Sequence, residues 1–422
     1  MKFSFLIAFC LLTQICVAQQ SLTTVFQSAQ EAYKQQEHAE FLRLMQTADS
    51  MRANHPTILY NLAAGHSLNG HSDEAIAALR RTLWMNANPK FEADSDFVAM
   101  ATSAGFEALK EEIADLRTPK GSAQTVFEID DADFHPEGLA WDAQTGRFFV
   151  SGVRGRAILV ADKNGKVSEF VNEPGLYSLM GLAVDTERRL LWVCSTPTTE
   201  MQPREGDPET KFAEVVKIDV DSGKILKRYP LSRKKVWLGD LVVRKADGAV
   251  FASSSDTDHP AIFKVNEETG KLDKFIHKLS LASLQGLTFD AQGENLFFSD
   301  YRHGLFKLNL ATKAVTKIGN TTHHPLKGID GLYYQNGSLL AVHNGLRPMR
   351  LVKYDLNDVE TEVTDFEIIN SSIPQMENGE PTLGVMTTDG FHYIANSPWP
   401  HYNRDGSFNK EKAGKGIVVR VE

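Results

Sequence analysis

Two carboxylates and one amide occupy nearly the same local setting at three distant places in this sequence. Glu137 begins EGLAWD, Gln285 begins QGLTFD and Asp330 begins DGLYYQ, so each polar side chain precedes a glycine and an apolar strand. Asp240 stands one residue later in a related phrase, GDLVVR. Carboxylate and amide oxygens suit a hard cation such as Ca²⁺, which takes about six to eight oxygens and completes the set with water. If the fold brings these residues together, the sequence predicts a divalent-metal site.

The same phrase occurs six times after residue 124, roughly every 40–60 residues. The copies are EGLAWD, MGLAVD, GDLVVR, QGLTFD, DGLYYQ and LGVMTT. Each copy is followed by further short apolar strands, which are separated by turns rich in Asp, Gly and Asn. Four short strands per unit of about 40–50 residues are typical of β-propeller blades. The sequence therefore predicts a mainly β fold, a six-bladed propeller over residues 124–422.

The last predicted blade lacks a fourth strand, because the chain reaches residue 422 after the strand IVVRVE. The segment 124–129, QTVFEI, precedes the first blade and has the pattern of the missing strand. We expect this segment to pair with the last blade, since closure removes two exposed sheet edges.

The first strand of each blade lines the central channel of a propeller, so the first residues of the six phrases should form a ring at its mouth. The predicted ring comprises Glu137, Met180, Gly239, Gln285, Asp330 and Leu383, with Asp240 beside it. Unpaired carboxylates at such a mouth would repel one another and lose hydration, which favours a bound cation. The alternative is that these polar side chains bond to amides at the strand ends.

Loops on the same face carry residues that could bind a substrate. His303, His343 and His401 could exchange protons near neutral pH, and Arg154 and Arg347 could hold a carboxylate or phosphate. The alternative is that the histidines are polar loop residues and that the arginines serve solubility.

The first part of the chain has a different pattern. Residues 1–18 combine a basic start, an apolar run and small residues at the end, which predicts a secretory signal peptide without a lipid anchor. Residues 19–118 have helical periodicity and a 34-residue offset typical of tetratricopeptide repeats, and residues 119–123 form a short linker. The helical region is either a protein-binding module or a packing appendage.

Net charge, apolar runs and cysteine count argue against some classes of protein. The net charge is −9 and basic clusters are absent from the sequence, which argues against a nucleic-acid partner. No later apolar run approaches the length of a membrane span, so we expect an exported protein without a membrane anchor. Cys194 is the one cysteine beyond the signal, so an internal disulfide is not expected.

On these phrases the chain resembles the gluconolactonase and senescence marker protein (regucalcin) family, over about residues 124–422. That family consists of six-bladed propellers that hydrolyse sugar lactones. The resemblance implies that Glu137 is a metal ligand and that Asp330 is a ligand or general base. Gln285 stands where the family usually has asparagine, so its amide oxygen lies one methylene further out. The metal would polarise a lactone carbonyl and activate water.

Two functional hypotheses follow. The first is an exported, metal-dependent hydrolase of lactones or related esters, including those of sugar acids, with Ca²⁺ as the expected ion and a small-molecule substrate. The second is a noncatalytic propeller that binds a small ligand or a protein partner, with the helical repeats as an interaction module.

Overall fold

The computed structural model describes residues 21–87, 89–231, 233, 236–255, 260–276, 280–403 and 405–421. The predicted signal peptide, residues 1–18, lies outside the described residues, as do the first two residues of the predicted helical region. The chain divides into two compact units. The first comprises the residues up to Thr82 together with Pro89–Leu109, and the second comprises Leu83–Asn88 and all residues from Lys110 onward.

The first unit is helical, as the sequence predicts. Its elements are α1 (Leu22–Lys34), α2 (His38–Met51), α3 (Pro56–Leu68), the greater part of α4 (Ser72–Met85), two 3₁₀ turns (Pro89–Ala93 and Ser95–Met100) and the start of α5 (Ala104–Arg117). The Ser21 hydroxyl caps α1 by accepting a bond from Thr24 N at 3.1 Å. Apolar residues at helical spacing, such as Phe41, Leu59 and Leu79, are buried in this unit. None of the helices in the described ranges is long and apolar enough to cross a membrane.

The second unit is a six-bladed propeller. A first strand, β1 (Gln124–Ile129), precedes the blades. Blade one contains β2 (Pro136–Asp142), β3 (Arg147–Gly152), β4 (Ile158–Ala161) and β5 (Val167–Val171). Blade two contains β6 (Ser178–Asp185), β7 (Leu190–Thr196), β8 (Glu214–Asp219) and β9 (Ile225–Pro230). Blade three contains β10 (Leu238–Val243), β11 (Val250–Ser254), β12 (Ala261–Asn266) and β13 (Lys271–Ile276).

Blades four to six follow the same plan. Blade four contains β14 (Leu284–Phe289), β15 (Asn295–Asp300), β16 (Gly304–Asn309) and β17 (Val315–Lys317). Blade five contains β18 (Gly319–Asn320), β19 (Ile329–Gln335), β20 (Ser338–His343), β21 (Arg350–Leu356) and β22 (Glu362–Ser371). Blade six contains β23 (Gly384–Thr387), β24 (Gly390–Asn396) and β25 (Gly416–Val421). Short helical turns lie in the loops of blade six, namely Pro374–Met376, Trp399–His401 and α6 (Lys410–Ala413).

The sheet orders make the architecture explicit. Each of blades one to four is an antiparallel meander in chain order, and blade five adds the two-residue strand β18 beside β22. The sixth sheet has the order β1-β25-β24-β23, so the strand before the first blade is the outermost strand of the last one. Gln124 lies opposite Arg420 and Ile129 lies opposite Gly416 in this antiparallel pair. The ring of blades is therefore closed by two segments from opposite ends of the propeller sequence.

The inner strands share a local irregularity at the start of the repeated phrase. The pairing of the first and second strands shifts register between Pro136 and Leu139 in blade one, and equivalent shifts occur in blades two to five. Such a bulge re-aims the side chain at its position. The glycine of the phrase permits close approach: a Cβ at Gly138 would lie 2.7 Å from the carbonyl oxygen of Met180 in the next blade. The phrase thus combines tight contact between blades with a redirected side chain.

Candidate functional site

The ring positions meet around one cavity at the channel mouth. This cavity has a volume of about 320 Å³. It is lined by Glu137, Met180, Trp237, Gly239, Asp240, Ser255, Gln285, Tyr301, Asp330, Asn344, Glu380, Leu383 and Trp399. All six predicted ring residues and Asp240 are in this lining, so the structure brings together the four predicted metal ligands. We call this space the acidic cavity, because four of its lining residues carry carboxylates.

Glu137 is held by blade six. Its backbone carbonyl accepts bonds from the Thr382 hydroxyl at 2.9 Å and from Leu383 N at 3.3 Å. Its side-chain Oε2 accepts a bond from Trp399 Nε1 at 2.7 Å. The Trp399 indole is in turn fixed by an edge contact with the ring of His135, at 4.5 Å between centroids. The position of the blade-one carboxylate therefore depends on the loop that follows β24.

Asp330 belongs to a hydrogen-bonded group with three neighbours. Asn344 Nδ2 donates to Asp330 Oδ2 at 3.0 Å and makes a longer contact of 3.5 Å with Glu380 Oε1. The Tyr301 hydroxyl donates to Asn344 Oδ1 at 2.9 Å, which fixes the orientation of the amide. The Asn344 amide group therefore faces two carboxylates with its donor end.

Both carboxylate oxygens of Asp240 accept hydrogen bonds from the backbone. Its Oδ1 accepts a bond from Leu241 N at 2.8 Å, and its Oδ2 accepts one from Leu287 N at 3.1 Å. The carboxylate thus joins the inner strands of blades three and four, which is the strand-end alternative considered for the ring residues. Both oxygens already serve the backbone, so Asp240 is a weaker candidate ligand than Glu137 or Asp330.

Gln285 retains an amide oxygen for the cavity. Its Nε2 donates to the Ser283 hydroxyl at 3.1 Å, so the amide oxygen points away from that bond. A Cβ at Gly239 would lie 3.2 Å from this oxygen. The glycine of blade three therefore leaves room for the longer glutamine side chain.

Burial raises the pKa of every carboxyl group of the cavity. Burial, and then the charge of Asp330, hold the pKa of Glu137 well above its usual range. Burial raises the pKa of Asp330 to about 7 and that of Asp240 to about 7. Burial and the charge of Asp330 raise the pKa of Glu380 to about 8, against an opposing effect of Arg347. Within the described ranges no Lys, Arg or His nitrogen lies within 4.0 Å of these four carboxylates.

The donor types suit a hard divalent cation, but the geometry is not a complete cage. Across the described residues, no three His, Cys, Asp or Glu side chains come together as a metal-binding group. An ion would therefore rest on Glu137 and Asp330, with the Gln285 amide oxygen and water completing its coordination. Divalent ions often keep several waters, so two carboxylates and an amide oxygen fit such a site.

The five predicted substrate-binding residues are not in the cavity wall of the described chain. His343 is fully buried in blade five, where Nδ1 lies 2.9 Å from Lys327 O and Nε2 lies 2.7 Å from the Tyr354 hydroxyl. Both ring nitrogens are thus occupied by protein groups, and burial lowers the pKa of His343 to about 3. A structural role explains this histidine better than proton exchange with a substrate.

The two loop histidines also lie away from the wall. His303 Nδ1 contacts Asp300 Oδ1 at 3.1 Å, and its side chain is 45% exposed. His401 Nε2 lies 2.5 Å from the carbonyl oxygen of Asn378. The polar-loop alternative describes both positions.

The two predicted arginines support loops. Arg154 Nε donates to Asp133 Oδ1 at 2.9 Å, and its guanidinium carbon lies 5.1 Å from the ring centroid of Phe408. Arg347 Nη1 donates to the carbonyl oxygens of Asn344 at 2.6 Å and Leu346 at 2.7 Å. Arg347 lowers the pKa of Glu380 electrostatically without being part of the described wall, and the contacts of both arginines are with loop residues.

Several wall residues were not singled out from the sequence. They are Trp237, Ser255, Tyr301, Asn344, Glu380 and Trp399. Glu380 and Trp237 precede the repeated phrase by two or three residues, while Tyr301, Asn344 and Trp399 follow second strands. Their shared signal is a polar or aromatic residue just outside the ends of the two innermost strands of a blade.

Comparison with known proteins gives similarities of structure alone. No protein-family model matches the chain, and no curated protein matches its sequence. A gluconolactonase from Xanthomonas campestris is 14% identical, with a TM-score of 0.48 over 73% of this chain and 93% of that one. A calcium-binding protein, regucalcin, from Agrobacterium tumefaciens is 12% identical, with a TM-score of 0.48 over 72% of this chain and 97% of that one.

A virginiamycin B lyase from Staphylococcus aureus is also similar, at 13% identity and a TM-score of 0.44 over 72% of this chain and 100% of that one. The structural neighbours thus include proteins of the gluconolactonase and regucalcin family alongside a lyase. At such identities and scores no residue role is transferred from them. The six-bladed propeller of this chain is established by its own sheet orders.

Proposed function

We propose that the acidic cavity binds a divalent cation, with Ca²⁺ as the expected ion, and hydrolyses lactones or related esters. The observation that supports this most is the pairing of Glu137 and Asp330 in one cavity without a basic partner within the described chain. Burial raises the pKa of both carboxyl groups, and the charge of Asp330 raises that of Glu137 further, so ionising both costs free energy unless a cation compensates them. A small cavity with such a pair therefore favours a bound cation.

When bound, the cation supplies Lewis acidity, which polarises the ester carbonyl and lowers the pKa of a nearby water. Glu137 and Asp330 would hold it, with Gln285 as the third oxygen donor. We assign the general base to Asp330: its pKa is about 7 in the metal-free protein, and a bound cation would lower it, so the carboxylate would be ionised at neutral pH and able to accept a proton. It would accept a proton as the water oxygen bonds to the carbonyl carbon, and return it to the alcohol oxygen as the ester C–O bond breaks.

The neighbours of Asp330 suit this role. Asn344 donates to Asp330 Oδ2, which leaves Oδ1 free to face the cavity. Tyr301 prevents the Asn344 amide from rotating, since its hydroxyl bonds to the amide oxygen. The base is thus held by one oxygen and can act through the other.

We also propose that the protein is exported, from the signal pattern in residues 1–18, and that the helical region contributes a surface for a protein partner. The first proposal is tested by sequencing the N-terminus of the secreted product. The second is tested by comparing binding partners of the full mature chain with those of variants substituted at exposed helix positions.

The test of the cavity uses calorimetric titration with Ca²⁺ and a panel of neutral lactones. Glu137→Gln and Asp330→Asn keep the side-chain shapes and remove the charges, and each should lower both affinity and kcat/KM at least about a hundredfold. Asp358→Asn, at an exposed position in blade five, is the matched control. Wild-type turnover in both cavity variants would contradict the proposal. Calcium binding without turnover of any lactone would leave a noncatalytic binding protein.

A further inference from the structure

The charged side chains of the acidic cavity are all of one sign. The described wall contains four carboxylic acids and no Lys, Arg or His. Glu137 is 6% exposed and its Oε2 accepts a bond from Trp399, while its Oε1 accepts no hydrogen bond from the described residues. A divalent ion on Glu137 and Asp330 would leave Asp240 without a counter-ion and Glu380 with the electrostatic influence of Arg347 from outside the described wall. A ligand with a carboxylate or phosphate would therefore be repelled, and a positively charged one would be favoured.

Aromatic rings provide a second and independent feature of the wall. The rings of Trp237 and Trp399 lie 6.4 Å apart between centroids, at an angle of 40°. Tyr301 adds a third ring to the same lining. Aromatic faces attract cations electrostatically, and they bind quaternary ammonium groups especially well because these groups are weakly hydrated. Acids together with aromatic faces are the chemistry that recognises an organic ammonium ion.

Glu380 is the carboxylate with the most freedom to meet such a group. Asp240 uses both oxygens for backbone amides, and Asp330 accepts the shorter bond from Asn344. Among the described residues, the side chain of Glu380 makes only the 3.5 Å contact with the same amide. Its backbone is fixed by two bonds of 2.9 Å with Ser397, so the side chain extends from a rigid position.

We propose that the acidic cavity recognises the ammonium group of an organic cation, with Glu380 as its counter-ion and Trp237 and Trp399 as its walls. This deepens the proposed function and rests on it for the reacting bond: the substrates would be esters or lactones that carry a positive group, and those that carry a carboxylate would be excluded. The recognition itself requires no turnover and can be measured separately.

The test compares three probes of one shape in calorimetric titrations of the mature protein at about pH 9, where Glu380, whose pKa is about 8, is ionised. They are choline, its uncharged carbon isostere with a tert-butyl group in place of trimethylammonium, and the carboxylate analogue tert-butylacetate. We expect choline to bind at least about tenfold more tightly than the uncharged isostere, and the carboxylate not to bind. Each titration is run with chelator and with saturating Ca²⁺, because the ion should weaken choline binding without reversing the order.

Substitutions in the cavity wall test which side chains bind choline. Glu380→Gln should lower choline affinity about tenfold and leave the uncharged isostere unchanged, whereas Trp237→Leu should weaken both probes. The matched control is Glu377→Gln, which removes a charge three residues away at an exposed position. Circular dichroism reports whether each variant is folded, and the wild-type ranking of probes remains decisive if one is not.

The inference is overturned if the isostere binds as tightly as choline, if the carboxylate binds most tightly, or if choline does not bind at tens of millimolar. Its failure is distinct from failure of the proposed function. Calcium-dependent turnover of neutral lactones without charge preference would overturn only the ammonium site. Choline binding without any turnover would overturn only the hydrolase.

Discussion

Two polar clusters are buried in the propeller, and they differ in what their polar atoms face. In the acidic cavity, carboxylates surround open volume and no base lies within ion-pair distance in the described chain. In blade five, His324, His343 and Tyr354 form a second group, which we call the histidine cluster. Because Nδ1 of His343 donates to Lys327 O, its Nε2 must accept from the Tyr354 hydroxyl. The Tyr354 oxygen can then accept from Nδ1 of His324 at 2.7 Å.

Both clusters have strongly shifted pKa values, but in opposite senses. Burial lowers the pKa of His343 to about 3 and that of His324 well below its usual value, so both rings are neutral. These two rings therefore carry no charge, and protein groups make most of their hydrogen bonds. In the acidic cavity, neutralisation requires a proton or a cation from outside. A shifted pKa therefore marks a binding site only where charge is uncompensated beside open volume.

The largest expected effect is a loss of stability on substitution in the histidine cluster, without a matching loss of Ca²⁺ binding at the acidic cavity. His343→Ala removes a buried ring together with its hydrogen bonds to the Tyr354 hydroxyl and the Lys327 carbonyl. The free energy of unfolding should fall by about 3 kcal/mol, while Ca²⁺ affinity changes less than about twofold. Urea unfolding and calorimetric titration of the same preparation measure the two quantities. Lost calcium binding with little loss of stability would show that the histidine cluster belongs to the functional site.

The second prediction concerns the pH dependence of the metal-free protein. The pKa values of Asp240, Asp330 and Glu380 are about 7, 7 and 8 in the folded state, above their usual values. Between about pH 4 and 8 the folded protein therefore holds protons that the unfolded chain has released, and its free energy of unfolding falls as pH rises. Asp330→Asn removes one such group, so its stability relative to wild type should increase by about 3 kcal/mol from pH 4 to pH 7.

Urea unfolding in the presence of chelator measures this difference, and Asp358→Asn serves as the exposed control. A constant difference between Asp330→Asn and wild type across the range would mean that Asp330 is not protonated in the folded, metal-free state. Saturating Ca²⁺ should abolish the advantage of the variant, since the ion compensates the ionised carboxylate.

A smaller effect is expected from removing one hydroxyl of the histidine cluster. Tyr354→Phe retains the ring but leaves Nε2 of His343 and Nδ1 of His324 without the bridging oxygen. The free energy of unfolding should fall by about 1–2 kcal/mol, with lactone turnover unchanged. Thermal and urea unfolding would detect this loss, and a neutral result would mean that buried water replaces the hydroxyl.

The smallest effect tests how blade six positions Glu137. Trp399→Phe keeps an aromatic wall but removes the Nε1 donor from Glu137 Oε2. Calcium affinity should fall about fivefold, or by about 1 kcal/mol, while the free energy of unfolding changes by less than that. His401→Ala, in the same loop but outside the described cavity wall, is the control and should bind Ca²⁺ like wild type. Equal affinity in the Trp399 variant would show that Glu137 is held by its backbone alone.

The fold and the ring positions could be predicted because the repeated phrase records backbone geometry. The glycine permits contact with the next blade, and the polar residue before it occupies the bulge, so Glu137, Gln285 and Asp330 could be assigned to one cavity without coordinates. Glu380 could not, because it lies in a loop before the phrase of blade six and no periodicity fixes where a loop side chain points.

The histidines show a second limit of sequence reasoning. His343 ends a strand beside a loop, which is consistent with a cavity position, yet its side chain turns into blade five and meets Tyr354. Which way such a residue points depends on the register between strands rather than on its own segment. Asp240 is similar, since only the position of Leu287 in the next blade makes its carboxylate a structural link.

The pairing of β1 with β25 has a consequence for biosynthesis. Arg420 and Gln124, which bond to each other across this pair, are 296 positions apart in the chain. At about 5–20 residues per second, the ribosome needs roughly 15–60 s to deliver the second strand after the first. During that interval β1 is an open edge beside a growing set of blades, and a nascent chain in this state is exposed to association with its neighbours on the polysome. The ring completes only when its two distant segments meet, so the slowest and most vulnerable step should be its final one.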